Sequence, residues 1–199
     1  MRQDFADFFP LRNRRAHEVT GPGAIAFALA LAAGMQGPIM WVVHQHQTGQ
    51  LHPGGVGRFI DPARLIVSRG ASGLDLLWIA EEALRSGAVP LVVAQLGSDV
   101  DLTAGRRLQL AAEAGRALGL FILPEGLGSN AAETRWHCIP RMARPEHLDS
   151  TLFEWVCIKN KSGTNGSWMT RWNDAAHHID CLSETGDRPL SAAAATAAG

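Results

Sequence analysis

The residues with the clearest chemical pattern lie near the amino end. A short strand, Ala16–Thr20, runs into Gly21-Pro22-Gly23 and then directly into an apolar helix beginning Ala24-Ile25-Ala26-Phe27. Strand, glycine turn and helix are the parts of a phosphate loop, written G-x-x-x-x-G-K-[ST]. Its amides cradle phosphates, its Lys reaches the terminal phosphates and its hydroxyl holds Mg²⁺. Here the loop is cut short, and Ala24 and Ile25 stand where Lys and Ser/Thr belong. A helix N-terminus attracts anions weakly, but a turn with neither the cation nor the metal ligand is not built for tight triphosphate binding. Gly21, Pro22 and Gly23 are therefore read as a vestigial phosphate loop, and no cofactor is expected.

Other chemistry-bearing residues are sparse. His44 and His46 share a face only if their strand continues through both. Neither they nor His52 has a carboxylate or Cys nearby in sequence, so a structural or solvent-facing set is favoured over a metal site. Cys138, Cys157 and Cys181 are widely spaced with no C-x-x-C, which suits buried reduced thiols. There is no G-x-S-x-G elbow and no H-E-x-x-H helix. The chain is expected not to be an enzyme.

The elements that position these residues follow from hydropathy. The chain has 199 residues, 46% hydrophobic and 19% charged, enough for one domain with a substantial core. The net charge of −1 supplies no global field for nucleic acid, so DNA binding is expected to be weak or absent. No apolar run has the length of a membrane span, and the N-terminus lacks a signal-peptide core, so a cytoplasmic protein is expected.

Pro38–His44, Leu65–Ser68, Val89–Ala94 and Gly119–Leu123 are apolar runs suited to strands buried on both faces. Between them, Gly73–Ser86 carries Leu76, Ala80, Ala83 and Leu84 on one face, a Glu81–Arg85 pair at i,i+4 and Gly87 as C-cap. Thr103–Leu118 is a second helix with Leu108, Ala111, Ala112 and Gly115 inward. Strands separated by helices predict βαβ units and a mainly parallel sheet. Past Pro124 the pattern becomes antiparallel. Thr134–Ile139 is a strand, and Phe153–Lys159 and Trp168–Asn173 alternate as a hairpin with Asn165-Gly166 as its tight turn; His177–Leu182 follows as a last short strand. Trp136, Trp155, Trp168 and Trp172 concentrate there, and most are assigned to the core. The organisation expected is an arm over 1–15, a domain over 16–182 and a disordered tail over 183–199.

A parallel sheet opened by such a turn and extended by a C-terminal hairpin resembles the RecA-type core. The likeness is close at Ala63-Arg64-Leu65-Ile66-Val67-Ser68, and at Arg85-Ser86-Gly87-Ala88-Val89 leading into a Val-Val strand. A second match, Ile158-Lys159-Asn160-Lys161, is similar to the RecA segment whose lysines reach a neighbouring protomer's nucleotide. The departures are as informative. Leu91-Val92-Val93-Ala94-Gln95 lacks the Mg²⁺-placing Asp, and His44-Gln45-His46 stands where the family has its catalytic Glu. The two DNA-contacting loops are reduced to about 97–101 and 125–132.

A RecA-like body without ATPase parts resembles the ImuA family, grouped with SulA-like proteins. The resemblance runs from about Arg14 to Asp180. It is most specific at His17-Glu18-Val19-Thr20-Gly21-Pro22-Gly23-Ala24, Leu76-Leu77-Trp78, Glu81 to Val89, Arg106 to Glu113 and Ala132-Glu133-Thr134-Arg135-Trp136. It implies an α/β fold, a RecA-like three-layer core whose mainly parallel sheet is extended by a C-terminal antiparallel hairpin. It also implies a non-catalytic adaptor in damage-inducible, error-prone translesion synthesis. The implied partners are an ImuB-type polymerase-related protein, RecA and, indirectly, an error-prone C-family polymerase. A SulA-type inhibitor of a cell-division polymer is the alternative from another class, and an active RecA-like ATPase a third.

Two segments are partner-binding candidates. Lys159, Asn160 and Lys161 hold the only lysines beside sixteen arginines and form either a solvated hairpin end or a partner contact. Phe5, Phe8 and Phe9 would share a helical face ahead of Pro10, and that arm either packs on its own domain or docks on a partner.

Overall fold

In a computed structural model, residues 4–47, 49, 51–142 and 152–184 of the protein are described. The strands are β1 (Ala16–Thr20), β2 (Ile39–His44), β3 (Leu65–Gly70), β4 (Leu91–Gln95), β5 (Leu118–Ile122), β6 (Thr134–Arg141), β7 (Leu152–Asn160), β8 (Gly166–Asn173) and β9 (His178–Glu184). They form one nine-stranded sheet in the order β3-β2-β4-β5-β1-β6-β7-β8-β9. The pairings from β3 to β6 are parallel, and those joining β6, β7, β8 and β9 are antiparallel. The fold is the expected α/β arrangement, with a mainly parallel sheet extended by antiparallel strands.

Helices cover both faces. On one lies α1 (Ala24–Ala33), apolar throughout and buried over most of its length, with the short α2 (Pro53–Val56) nearby. On the other lie α3 (Gly73–Ser86) and α4 (Leu102–Gly115), packed side by side over Leu76, Ala80, Leu84, Leu108, Ala111 and Ala112. The α3 boundaries are written locally. Ser72 Oγ accepts from the Asp75 amide while the Asp75 carboxylate accepts from the Ser72 amide, a reciprocal cap. Gly87 closes the other end at φ 65°. Gly115 is fixed by contact, because a Cβ there would stand 1.8 Å from the Leu84 carbonyl oxygen. The predicted Glu81–Arg85 pair forms, and Arg107 of α4 joins it at 2.6 Å, tying the two helices together.

One turn differs from expectation. Asn165-Gly166 is not a two-residue hairpin turn: β8 begins at Gly166, paired opposite Cys157, and residues 161–165 connect it to the end of β7. The cause is β7, which runs on past its partner to pair Lys159 with Arg135 and Asn160 with Thr134 on β6. Gly166 instead makes room for an aromatic ring, since a Cβ there would lie 2.3 Å from Trp168. Likewise β9 continues through Glu184, two residues into the stretch read as a tail; the remainder of that stretch lies outside the described residues.

The tryptophans fill the α1 side of the antiparallel half. Trp136, Trp155, Trp168 and Trp172 are buried on one face, as the period-two alternation requires.

Candidate functional site

The turn between β1 and α1 keeps the shape of a phosphate loop's beginning, but its space is taken. Gly21 adopts φ 90°, and a Cβ there would lie 2.6 Å from the Cys138 carbonyl oxygen of β6. A Cβ on Gly23 would meet the same oxygen at 3.0 Å. These glycines let a neighbouring strand's backbone close on the turn. The Gly23 amide donates to Cys138 O at 2.9 Å, and the Ala24 amide to Gly21 O at 3.1 Å. Amides that cradle phosphate in a working loop are satisfied here within the chain. Of the residues at the Lys and Ser/Thr positions, Ala24 is buried and Ile25 is exposed. Cys138 adds no reactivity, because burial pushes its thiol well above the usual range; burial also pushes Cys157 up to about 12.

At the end of β4, where the resemblance has an Asp, Gln95 instead accepts a hydrogen bond from the Gln47 side chain. At the end of β2 the His44 ring accepts from the His46 amide at 3.2 Å, and His52 accepts from the Gly54 amide at 3.1 Å as the cap of α2. Among the described residues no group of three His, Cys, Asp or Glu side chains is arranged to hold a metal ion.

The two reduced loops are tied to each other and to the body. Asp99 accepts from the Gly128 amide at 3.0 Å, and Ser129 Oγ donates to Asp101 O at 3.4 Å. Below them Glu18, buried in mid-β1, accepts from the Ser129 amide at 2.8 Å and from Arg135 Nε at 2.8 Å. Arg135 and Lys159 both donate to the Ser129 carbonyl, at 3.0 and 3.1 Å, and Lys161 donates to Ala131 O at 2.6 Å. Partial burial and the cations of Lys161 and Arg135 hold Lys159 below the usual lysine range, against the pull of Glu18 and Glu133. The Lys159-Asn160-Lys161 segment therefore fastens a loop of its own chain. Asn160 lies between the lysines, donating to Thr164 O and accepting from the Ser162 amide.

The aromatic arm is also engaged at home. Phe5–Asp7 form a 3₁₀ turn rather than two turns of α-helix. Phe8 is buried with its ring 4.6 Å from Trp168, Phe9 lies 5.1 Å from Trp155, and Phe5 lies 5.6 Å from Trp168. The arm completes the core over the tryptophan face, the first of its two alternatives.

Sequence reasoning passed over two buried groups. One is the Glu18–Arg135 pair, whose only signal is a carboxylate in the middle of an otherwise buried strand. The other is His17, fully buried beside it. Its Nε2 donates to Arg12 O at 2.8 Å, so its Nδ1 accepts from the Thr134 hydroxyl at 2.7 Å; that hydroxyl accepts in turn from Trp136 Nε1. Burial lowers the His17 pKa to about 4, which keeps the ring neutral.

No protein-family model matches the chain. Two curated proteins do, both described as Protein ImuA, from two strains of Caulobacter vibrioides. Each is 28% identical over an alignment 209 positions long, gaps included, covering 90% of this chain and 84% of the relative. Similarity of this extent, over most of both chains, supports an ImuA-family assignment.

Proposed function

We propose that this protein is a non-catalytic accessory factor of an ImuA/ImuB-type mutagenesis cassette, working by protein contact in error-prone synthesis across damaged DNA. The observation that carries the reading is the closed turn. Its Gly23 amide is spent on Cys138, its Lys and hydroxyl are replaced by Ala24 and Ile25, and the metal-placing Asp is replaced by Gln95. A RecA-like body that retains its sheet but not its nucleotide chemistry is suited to recognition, because phosphoryl transfer depends on the positioned cation and metal that are missing. The pinned loops at 97–101 and 125–132 favour a protein partner over a DNA strand. The partners proposed are an ImuB-type protein and RecA, with a C-family polymerase reached indirectly and the cytoplasm as the compartment. No helix among the described residues is long and apolar enough to cross a membrane.

The test is co-purification of the tagged protein with separately purified ImuB-type protein and RecA, with and without ATP. The reading predicts a stoichiometric complex with at least one of them, formed equally well without nucleotide. No complex with either, or one that needs nucleotide bound to this chain, would overturn it.

A further inference from the structure

Asn165-Gly166 sits where the 161–165 connection meets the first residue of β8. The chain holds five asparagines, followed in turn by Arg14, Ala131, Lys161, Gly166 and Asp174. A side chain on the following residue hinders attack by its own backbone nitrogen on the asparagine Cγ, and glycine alone has none to interfere. Asn165 is exposed, so water reaches the group.

The fold locks this dipeptide in place. Gly166 pairs opposite Cys157, and a Cβ on it would stand 2.3 Å from the ring of the buried Trp168. No larger residue fits at 166 without moving a core tryptophan. Asn165 Nδ2 donates to Ile158 O at 3.0 Å, which ties the connection back to β7. Asn160 Nδ2 adds a second tie by donating to Thr164 O at 3.2 Å. Lys161, the first residue of the connection, donates its backbone amide to Glu133 O at 3.0 Å and its Nζ to Ala131 O at 2.6 Å. The Asn165 side chain therefore closes the same short connection that fastens the 125–132 loop.

We propose that Asn165 is a self-modification site, converting to aspartate and isoaspartate in the folded protein and loosening that loop. The Gly166 backbone nitrogen gives its proton to hydroxide and bonds to Asn165 Cγ. The Cγ–Nδ2 bond breaks, and Nδ2 takes a proton from water and leaves as ammonia. Water then opens the cyclic imide: at the side-chain carbonyl it gives aspartate, at the main-chain carbonyl isoaspartate. Either product exchanges the amide donor for a carboxylate facing Ile158 O, two acceptors with no proton between them. Isoaspartate also lengthens the main chain directly ahead of Gly166. Trp168 fixes the position of Gly166, so the displacement passes back to Lys161 and its hold on Ala131. The site lies away from the closed turn and stands whether or not the mutagenesis reading does.

The experiment is timed incubation of the native full chain at neutral and mildly alkaline pH, followed by peptide mass spectrometry at every asparagine. Hydrogen exchange of the 125–132 amides is read in the same samples, beside Asn165→Gln, whose longer side chain disfavours the ring and whose folding is checked by melting temperature. The expected result is conversion at Asn165 about tenfold faster than at any other asparagine, a difference of about 1.4 kcal/mol in barrier, and faster still as pH rises. Loop exchange increases in step with conversion and stays at its starting level in Asn165→Gln. Conversion seen only after unfolding in denaturant, equal conversion at the other asparagines, or unchanged loop exchange in the converted protein would overturn the proposal.

Discussion

The amide of Gly23 donates to the carbonyl of Cys138 at 2.9 Å, so the turn that follows β1 is closed by β6, the strand paired beside β1. Gly21 supports the same approach from its left-handed backbone, with no room for a side chain between it and β6. The glycines that make the sequence look like a nucleotide site are held by packing.

This predicts that Gly21→Ala is costly although no ligand is involved. The strained backbone and the contact with Cys138 should lower unfolding free energy by about 1–3 kcal/mol. Urea denaturation would read the loss directly, and a neutral substitution would mean that β6 does not press on the turn.

Arg135→Met should be among the more damaging single changes. It leaves Glu18 buried with only the Ser129 amide, and removing one partner of a buried pair typically costs about 3–5 kcal/mol. Asp174→Asn, which breaks the exposed pair with Arg58, should cost less than about 1 kcal/mol. Comparable losses from the two would contradict the assignment of Glu18 to the interior.

His17 predicts an acid-sensitive stability. Its pKa is about 4 folded against about 6.5 unfolded. The unfolded chain therefore binds the extra proton first, and stability present above pH 6.5 is lost as pH falls toward 4, by about 3 kcal/mol. Stability of the native protein and of His17→Gln, measured between pH 7 and 4, should differ in slope, the variant being flatter. Parallel curves would place the titration elsewhere.

Deleting Met1–Pro10 removes Phe8 and its neighbours from the tryptophan face. Loss of a buried Phe costs about 3–5 kcal/mol, which should lower the melting temperature by roughly 10 °C. An unchanged melting temperature with lost partner binding would instead give the arm the docking role.

How much of this the sequence carried depends on the distance over which each feature is determined. The buried runs of β2 and β4, the Gly87 cap of α3 and the alternation of Trp168, Thr170 and Trp172 are local patterns, and all were legible. The replacements at Ala24, Ile25 and Gln95 were legible too, because an absent functional group needs no fold to be noticed. What was not legible rests on pairings remote in the chain. Gly166 reads as a turn residue until Trp168 is seen to need its space. The lysines of Lys159-Asn160-Lys161 read as free until β7 is seen to overrun β8 and bring them over Ser129 and Ala131. The arm stayed ambiguous because spacing shows that Phe5, Phe8 and Phe9 can share a face and says nothing about what covers it.

The central claim is that the closed turn between β1 and α1 has no nucleotide chemistry. Isothermal titration of the full-length protein with ATP and Mg²⁺, with phosphate release followed in the same samples, tests it most directly. The account predicts no binding tighter than millimolar and no Mg²⁺-dependent hydrolysis, since the Gly23 amide is spent on Cys138 and Ala24 and Ile25 replace the cation and the metal-holding hydroxyl. Sub-millimolar binding, or turnover that requires Mg²⁺, would contradict it.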